Sequence, residues 1–316
     1  MAVLRELIQG GNSFSPFAQD IRRPYGSIAR KLNVSEVTVR KRIGAIERSG
    51  VIEGWSVALN PELVGAGLCR VRVPISSEPL HKKDVIDKIK LVEGVLEISD
   101  YFGTGIKAHI LYDDDDALRR SIGLISKLAG SNDLVCQRLR FPRPQLSHVS
   151  ETDLKILLGV QGNPRRMLKG IADDARVSTK TVARTLDKLS NARAVLLIPK
   201  FDPRAMEGMP LADILIVYST LSAKADADSR LTSVFGESIV RTEVNDPEWS
   251  YFQMILPNIS SGADVLDLAK RNPGVKSAYF DLVQDCYRNY ETIARQISSQ
   301  LAVAKTAPVA QRAYSS

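Results

Sequence analysis

At 316 residues, with 44% apolar and 25% charged side chains, the chain has globular composition and is too long for one ordinary core, which excludes a disordered or fibrous protein and makes two or more domains the expectation. Cys69, Cys136 and Cys286 show no CxxC spacing, which argues against a disulfide framework or a zinc ribbon, and no apolar run approaches the roughly 18 residues of a membrane span. A cytoplasmic protein without membrane, metal or cofactor is expected. The net charge of +7 is not spread evenly: residues 22–55 carry +5 and residues 164–200 carry +6, so everything else sums to −4.

In chain order, Leu4 to Ile8 reads as a first helix and residues 10–23 as a polar insert. Tyr25–Leu32 (YGSIARKL) then forms a helix with Ile28, Ala29 and Leu32 inward, and Asn33-Val34 makes a turn. Ser35 suits the N-cap of a second helix that runs to about Ser49 and ends at Gly50. At 100° per residue, Val39, Ile43 and Ile46 form its buried stripe, while Val37, Arg40, Lys41, Gly44 and Arg48 face outward. The following VIEGWSVALN, hinged at Gly54, suits a two-stranded wing, with Trp55 packed on the helices.

From Leu68 the pattern becomes strand, helix, strand, Gly103-Thr104-Gly105 turn, strand, helix, strand, the order of a ferredoxin-like sandwich. The run Asp113–Asp116 is read as the N-cap and first-turn charge of the second of these helices rather than as a metal site. His81, His109 and His148 lack zinc-ligand spacing and are read as structural or surface residues. After a proline-bearing connector at 142–150 the same order restarts.

The restart is in register. Ile28, Ala29, Val34, Ser35, Thr38, Val39, Ile43 and Ile46 recur 143 residues later as Ile171, Ala172, Val177, Ser178, Thr181, Val182, Leu186 and Leu189. The fold class expected is therefore α+β, two tandem repeats, each a winged helix-turn-helix followed by a ferredoxin-like α/β sandwich. The boundaries are 1–65, 66–141, a linker at 142–150, 151–207, 208–285, a C-terminal helix at 286–302 and a disordered tail at 303–316. The helix-free sheet faces, represented by Val71, Val73, Leu215 and Val217, are expected to meet within one chain as an intrachain pseudo-dimer. The C-terminal helix is a candidate for higher homo-oligomers.

The stretch VSEVTVRKRIGAIERSGVIEGWSVALNPELVG resembles the DNA-binding domain of the Lrp/AsnC (feast/famine) transcription regulators, and the unit after it resembles that family's ligand and assembly (RAM) domain. Family members normally carry one copy and dimerise through their sheets, so the tandem chain looks like a fused dimer of an archaeal type. The resemblance implies a nucleoid-associated transcription regulator, with double-stranded DNA as partner. The DNA-contact candidates are Ser35, Val37, Thr38, Arg40, Lys41 and Arg48, and more weakly Thr179, Lys180 and Arg184, because Ala183, Asp187 and Asn191 dilute the second cationic face. Gly103, Thr104 and Gly105 match the family's effector-binding hairpin, but Lys107 stands where the family often has an aspartate, which predicts weak amino-acid binding. Two rivals stay open. Siroheme decarboxylase subunits are built from Lrp-like halves, although Thr242–Tyr251 lacks their histidine, and a nonspecific architectural DNA-binding protein would need only the phosphate contacts.

Overall fold

The structure is a computed structural model and describes Val3, Glu6 and residues 24–75, 79–141, 143–146, 148–206, 208–244 and 246–306. Apart from Glu6, the expected first helix lies outside the described residues, as does the 10–23 insert. The fold is α+β with antiparallel sheets.

Helices α1 (Tyr25–Leu32) and α2 (Glu36–Arg48) lead into strand β1 (Ile52–Leu59). Further along, α5 (Glu151–Val160), α6 (Leu168–Ala175) and α7 (Thr179–Asn191) lead into β6 (Val195–Phe201). The expected two-stranded wing within each half is corrected here. Each half supplies one strand, and β1 and β6 pair antiparallel with each other, Trp55 opposite Pro199 and Leu59 opposite Val195. A lone hairpin of this length would be marginal in water, whereas the cross-pairing buries Trp55, Val57 and Leu59 in one core with Ile28, Val39, Ile171, Val182 and Leu186.

Between these parts lie β2 (Gly67–Pro74), α3 (Pro79–Ile89), β3 (Val95–Tyr101), β4 (Gly105–Tyr112), α4 (Asp115–Ala129) and β5 (Val135–Leu139). The later set is β7 (Leu211–Tyr218), α8 (Leu221–Phe235), β8 (Ile239–Glu243), β9 (Trp249–Ile255), α9 (Ser261–Lys270) and β10 (Val275–Arg288). All eight strands join in one order, β5-β2-β4-β3-β10-β7-β9-β8, made of two four-stranded sheets, β5-β2-β4-β3 and β10-β7-β9-β8, joined edge to edge. The joint is β10. Its first part pairs with β7, and Val283–Arg288 continue past a bulge to pair with β3 as far as Glu97.

That strand corrects the expected C-terminal boundary. Cys286, Tyr287 and Arg288 are strand, and the last helix, α10, runs Tyr290–Thr306, past the expected end at 302 and into the segment read as a tail. Residues 307–316 lie outside the described residues. Val275, Tyr279, Phe280, Val283 and Tyr287 favour strand, whereas Lys276, Asp281 and Asp285 do not, so pairing with β7 and then β3 decides how far the strand runs. Helix α10 packs on α5 and β1, and its Ile297 is buried in the helix-turn-helix core.

The helix-free faces do meet, but not through all the residues expected. Val71 and Val73 point the other way, into the core under α3 and α4 with Ile86, Ile98 and Ile125. Alternation along β2 therefore turns Arg70 and Arg72 toward the opposite sheet, where Leu215, Val217, Trp249 and Tyr251 cluster with Leu68 and Leu139. Trp249 sits between the sheets, with the Arg70 guanidinium 5.6 Å from its ring.

Candidate nucleic-acid interface

The turn between α1 and α2 is closed by Asn33 in the left-handed conformation (φ 51°), with the Val34 amide donating to Ala29 O at 3.0 Å. Ser35 caps α2: its hydroxyl accepts from the Thr38 amide and lies 2.8 Å from the Thr38 hydroxyl. The later motif repeats this geometry atom for atom. Arg176 is left-handed (φ 56°), Val177 N donates to Ala172 O at 3.0 Å, and Ser178 accepts from the Thr181 amide. An αL residue followed by a serine cap sets the sharp angle between two short helices, and an asparagine tolerates that conformation better than an arginine.

On α2, Val39 and Ile43 are buried, and Val37, Arg40, Lys41 and Arg48 are exposed. Arg40 is braced by Glu36 at 2.9 Å and lies 5.1 Å from the Tyr25 ring, which a second guanidinium, Arg165 from the loop before α6, approaches at 4.5 Å. Lys41 and Arg48 enter no ion pair among the described residues. On α7, Val182, Leu186 and Leu189 are buried and Thr179, Lys180 and Arg184 are exposed. Lys188 is also exposed but is tied by a 2.6 Å bond to Asp153, the carboxylate that also closes the capping box of α5.

Two features of this face escape the helical wheel. Arg42 is exposed beside Lys41, because α2 buries a narrower stripe than a wheel allots. The pairing of Tyr25 with Arg165 joins residues 140 positions apart, and no local pattern announces it.

The hairpin Gly103-Thr104-Gly105 lies apart from the helix-turn-helix face. Lys82 from α3 holds its carbonyl groups, donating to Tyr101 O and to Gly103 O, and pairs with Asp100 at 2.5 Å. Lys107, on which the expectation of weak amino-acid binding rested, does not reach the hairpin mouth, so that expectation loses its physical ground. It is buried between the sheets, 2.6 Å from Asp213 and 3.0 Å from the Tyr251 hydroxyl. Clefts of about 1200 Å³ and about 600 Å³ lie beside α10 and β10, and Gly103, Thr104 and Gly105 line neither.

The ground between the sheets is charged. Asp213 accepts from Tyr101 and Lys107 on one oxygen and from Tyr251 and Gln253 on the other. Arg70 pairs with Glu243 and stacks 3.5 Å from the Tyr251 ring, and Arg72 grips Asp281 through two bonds of 2.8 and 2.9 Å. Burial opposes ionisation of Glu243, yet Arg70 and Arg241 overcome it and hold the carboxyl at about 2. Asp213 is likewise kept low against its burial, chiefly by Lys107. His109 is driven the other way: burial lowers it to about 4, with Glu97 3.7 Å away and its Nε2 without a hydrogen-bond partner among the described residues. Among the described residues no group of His, Cys, Asp and Glu is arranged to hold a metal ion, and Asp114 caps α4 through the Ala117 amide.

No family model matches the chain. Over 88 residues it is 36% identical to the HTH-type transcriptional regulator LrpA of Pyrococcus horikoshii, an alignment covering 28% of this chain and 60% of that protein. Over 124 residues it is 25% identical to the regulatory protein AsnC of Haemophilus influenzae, covering 37% of this chain and 81% of that one. Over these segments the chain is similar to regulators of the Lrp/AsnC type. The chain spans about 60% of the length of the Pyrococcus LrpA proteins it matches. Its fold is similar to that of the siroheme decarboxylase NirDL, with a TM-score of 0.54 over 96% of this chain and 98% of that one; at 10% identity the likeness is one of fold. Among the described residues no helix is long and apolar enough to cross a membrane.

Proposed function

We propose that this chain is a member of the Lrp/AsnC family, a transcription regulator that binds double-stranded DNA through both helix-turn-helices, and that it is a tandem duplication carrying two winged-helix and two ferredoxin-like units. The observation that carries the reading is the placing of two cationic, serine-capped second helices on one body by the β1–β6 pair and a shared core. The contacts assigned to DNA are Ser35, Val37, Thr38, Arg40, Lys41, Arg42 and Arg48 on one side and Thr179, Lys180 and Arg184 on the other. N-terminal residues of such helices reach base edges while flanking cations hold phosphates. The domain limits follow the sequence reading except that the second sheet unit extends to Arg288. The setting is cytoplasmic and nucleoid-associated, and Gly103-Thr104-Gly105 is the candidate contact for a small effector.

Fluorescence anisotropy with labelled duplexes, competed with unlabelled genomic DNA, tests this. A site resisting competition supports a specific regulator, equal competition by any DNA supports the architectural alternative, and no binding removes both. The whole-chain fold likeness favours a second reading, a siroheme decarboxylase-like enzyme. A tetrapyrrole absorbance titration that saturates at one equivalent per chain would favour it.

A further inference from the structure

We infer that the two recognition helices read different bases, so that the DNA this chain selects is an asymmetric site, with a thymine methyl read by Val37 in one half and a guanine read by Lys180 in the other. The inference rests on the DNA-binding reading above and deepens it.

Val37 is the second residue of α2 and is 74% exposed. Its isopropyl group packs on nothing in the core and sits on the exposed face with Lys41 and Arg48. The second position of a recognition helix is where a side chain meets base edges, and an apolar group there finds one apolar feature in the major groove, the C5 methyl of thymine. The same position of α7 is Lys180, also exposed. A lysine there finds its best acceptors at guanine O6 and N7.

The two positions are presented alike, which is what makes the comparison meaningful. Both helices start from a serine cap bonded to a threonine three residues on, with hydroxyls 2.8 and 2.9 Å apart, and both follow a turn closed by an αL residue. The difference therefore lies in the side chains rather than in the approach. It continues along the face, where Arg40, Gly44 and Arg48 are replaced by Ala183, Asp187 and Asn191. A palindrome would require these two surfaces to read the same bases. Covalent linkage of unlike halves removes that requirement, since the partner of each reader is fixed within the chain.

The test uses the full chain and a library of random duplexes carried through repeated selection. The expected enriched site has unlike halves, with thymine at the position facing Val37 and guanine at its counterpart. Replacing that thymine by deoxyuridine, which lacks the methyl, is expected to weaken binding about fourfold, the effect of one buried methyl. Val37→Gly, which has no side chain to meet the methyl, should bind both duplexes equally, and Val37→Lys should move the preference at that position to guanine. Circular dichroism confirms folding, both substitutions being at an exposed residue. A symmetric enriched site, or a preference unmoved by Val37→Lys, overturns the inference. Retention of DNA without enrichment overturns it while DNA binding stands, and no retention at all removes the function proposed above.

Discussion

Asp213 accepts four hydrogen bonds from three strands on both sides of the sheet interface, and Lys107 ends on it. Removing one partner of such a buried pair leaves the other charge without compensation, so Asp213→Ala is expected to destabilise the protein by about 3–5 kcal/mol, read from urea midpoints. Lys107→Met combined with Asp213→Leu should regain part of that loss, because no orphaned charge remains. Acid should dismantle the interface in two stages. His109 is held at about 4 against an ordinary 6.5, so the stability it contributes is fully present above 6.5 and is lost as pH falls toward 4. Glu243 is held at about 2 against 4.5, so its contribution is lost between 4.5 and 2. Equilibrium unfolding across pH should therefore show His109→Gln abolishing the decline between 6.5 and 4.5 and sparing the steeper one below. Most of this network was hidden from sequence reading. The alternation of Arg70, Val71, Arg72 and Val73 is plain, but it does not say which face meets helices, and apolar residues were assigned to the face that the arginines occupy.

The short helices of the two helix-turn-helices owe their ends to single side chains. Ser35→Ala removes the acceptor for the Thr38 amide and should cost about 1 kcal/mol, and Ser178→Ala should cost the same, since the caps superpose in chemistry and distance. Unequal losses, measured by thermal unfolding, would mean that the second turn is not built like the first. These elements were legible: apolar spacing, a turn and a serine cap are local signals, and they locate α1, α2, α6 and α7 within a residue or two. The strands were legible as strands but not in their partners. VIEGWSVALN carries an alternating pattern around a glycine that fits a hairpin, and only the distant β6, itself as rich in apolar residues, shows why it stays one extended strand. Cys286–Arg288 failed for the same reason. Nothing local tells a strand's end from a helix's start when its pairing partner, β3, lies nearly two hundred residues earlier.

At the scale of the molecule, the two halves are unlike where they meet. The first sheet unit supplies Arg70, Arg72 and Lys107, the second supplies Glu243, Asp281 and Asp213, and Arg288 to Glu97 is the return pair. Two copies of the first unit would set cation against cation, so the charge distribution favours the pairing of unlike halves that the continuous chain already makes local. A single body then carries two helix-turn-helices that differ in outward charge, and on the proposed DNA-binding function the first, with Lys41 and Arg48 free of ion pairs among the described residues, should supply most of the affinity. The direct measurement is anisotropy of the full chain on one labelled duplex at several salt concentrations, comparing Lys41→Ala with Arg48→Ala against Lys180→Ala with Arg184→Ala. Each lost phosphate contact flattens the slope of log K against log salt by about 0.9. The account predicts a large loss of affinity and of slope for the first double, a smaller one for the second, and unchanged circular dichroism for both; wild-type affinity and slope in the first double would contradict it.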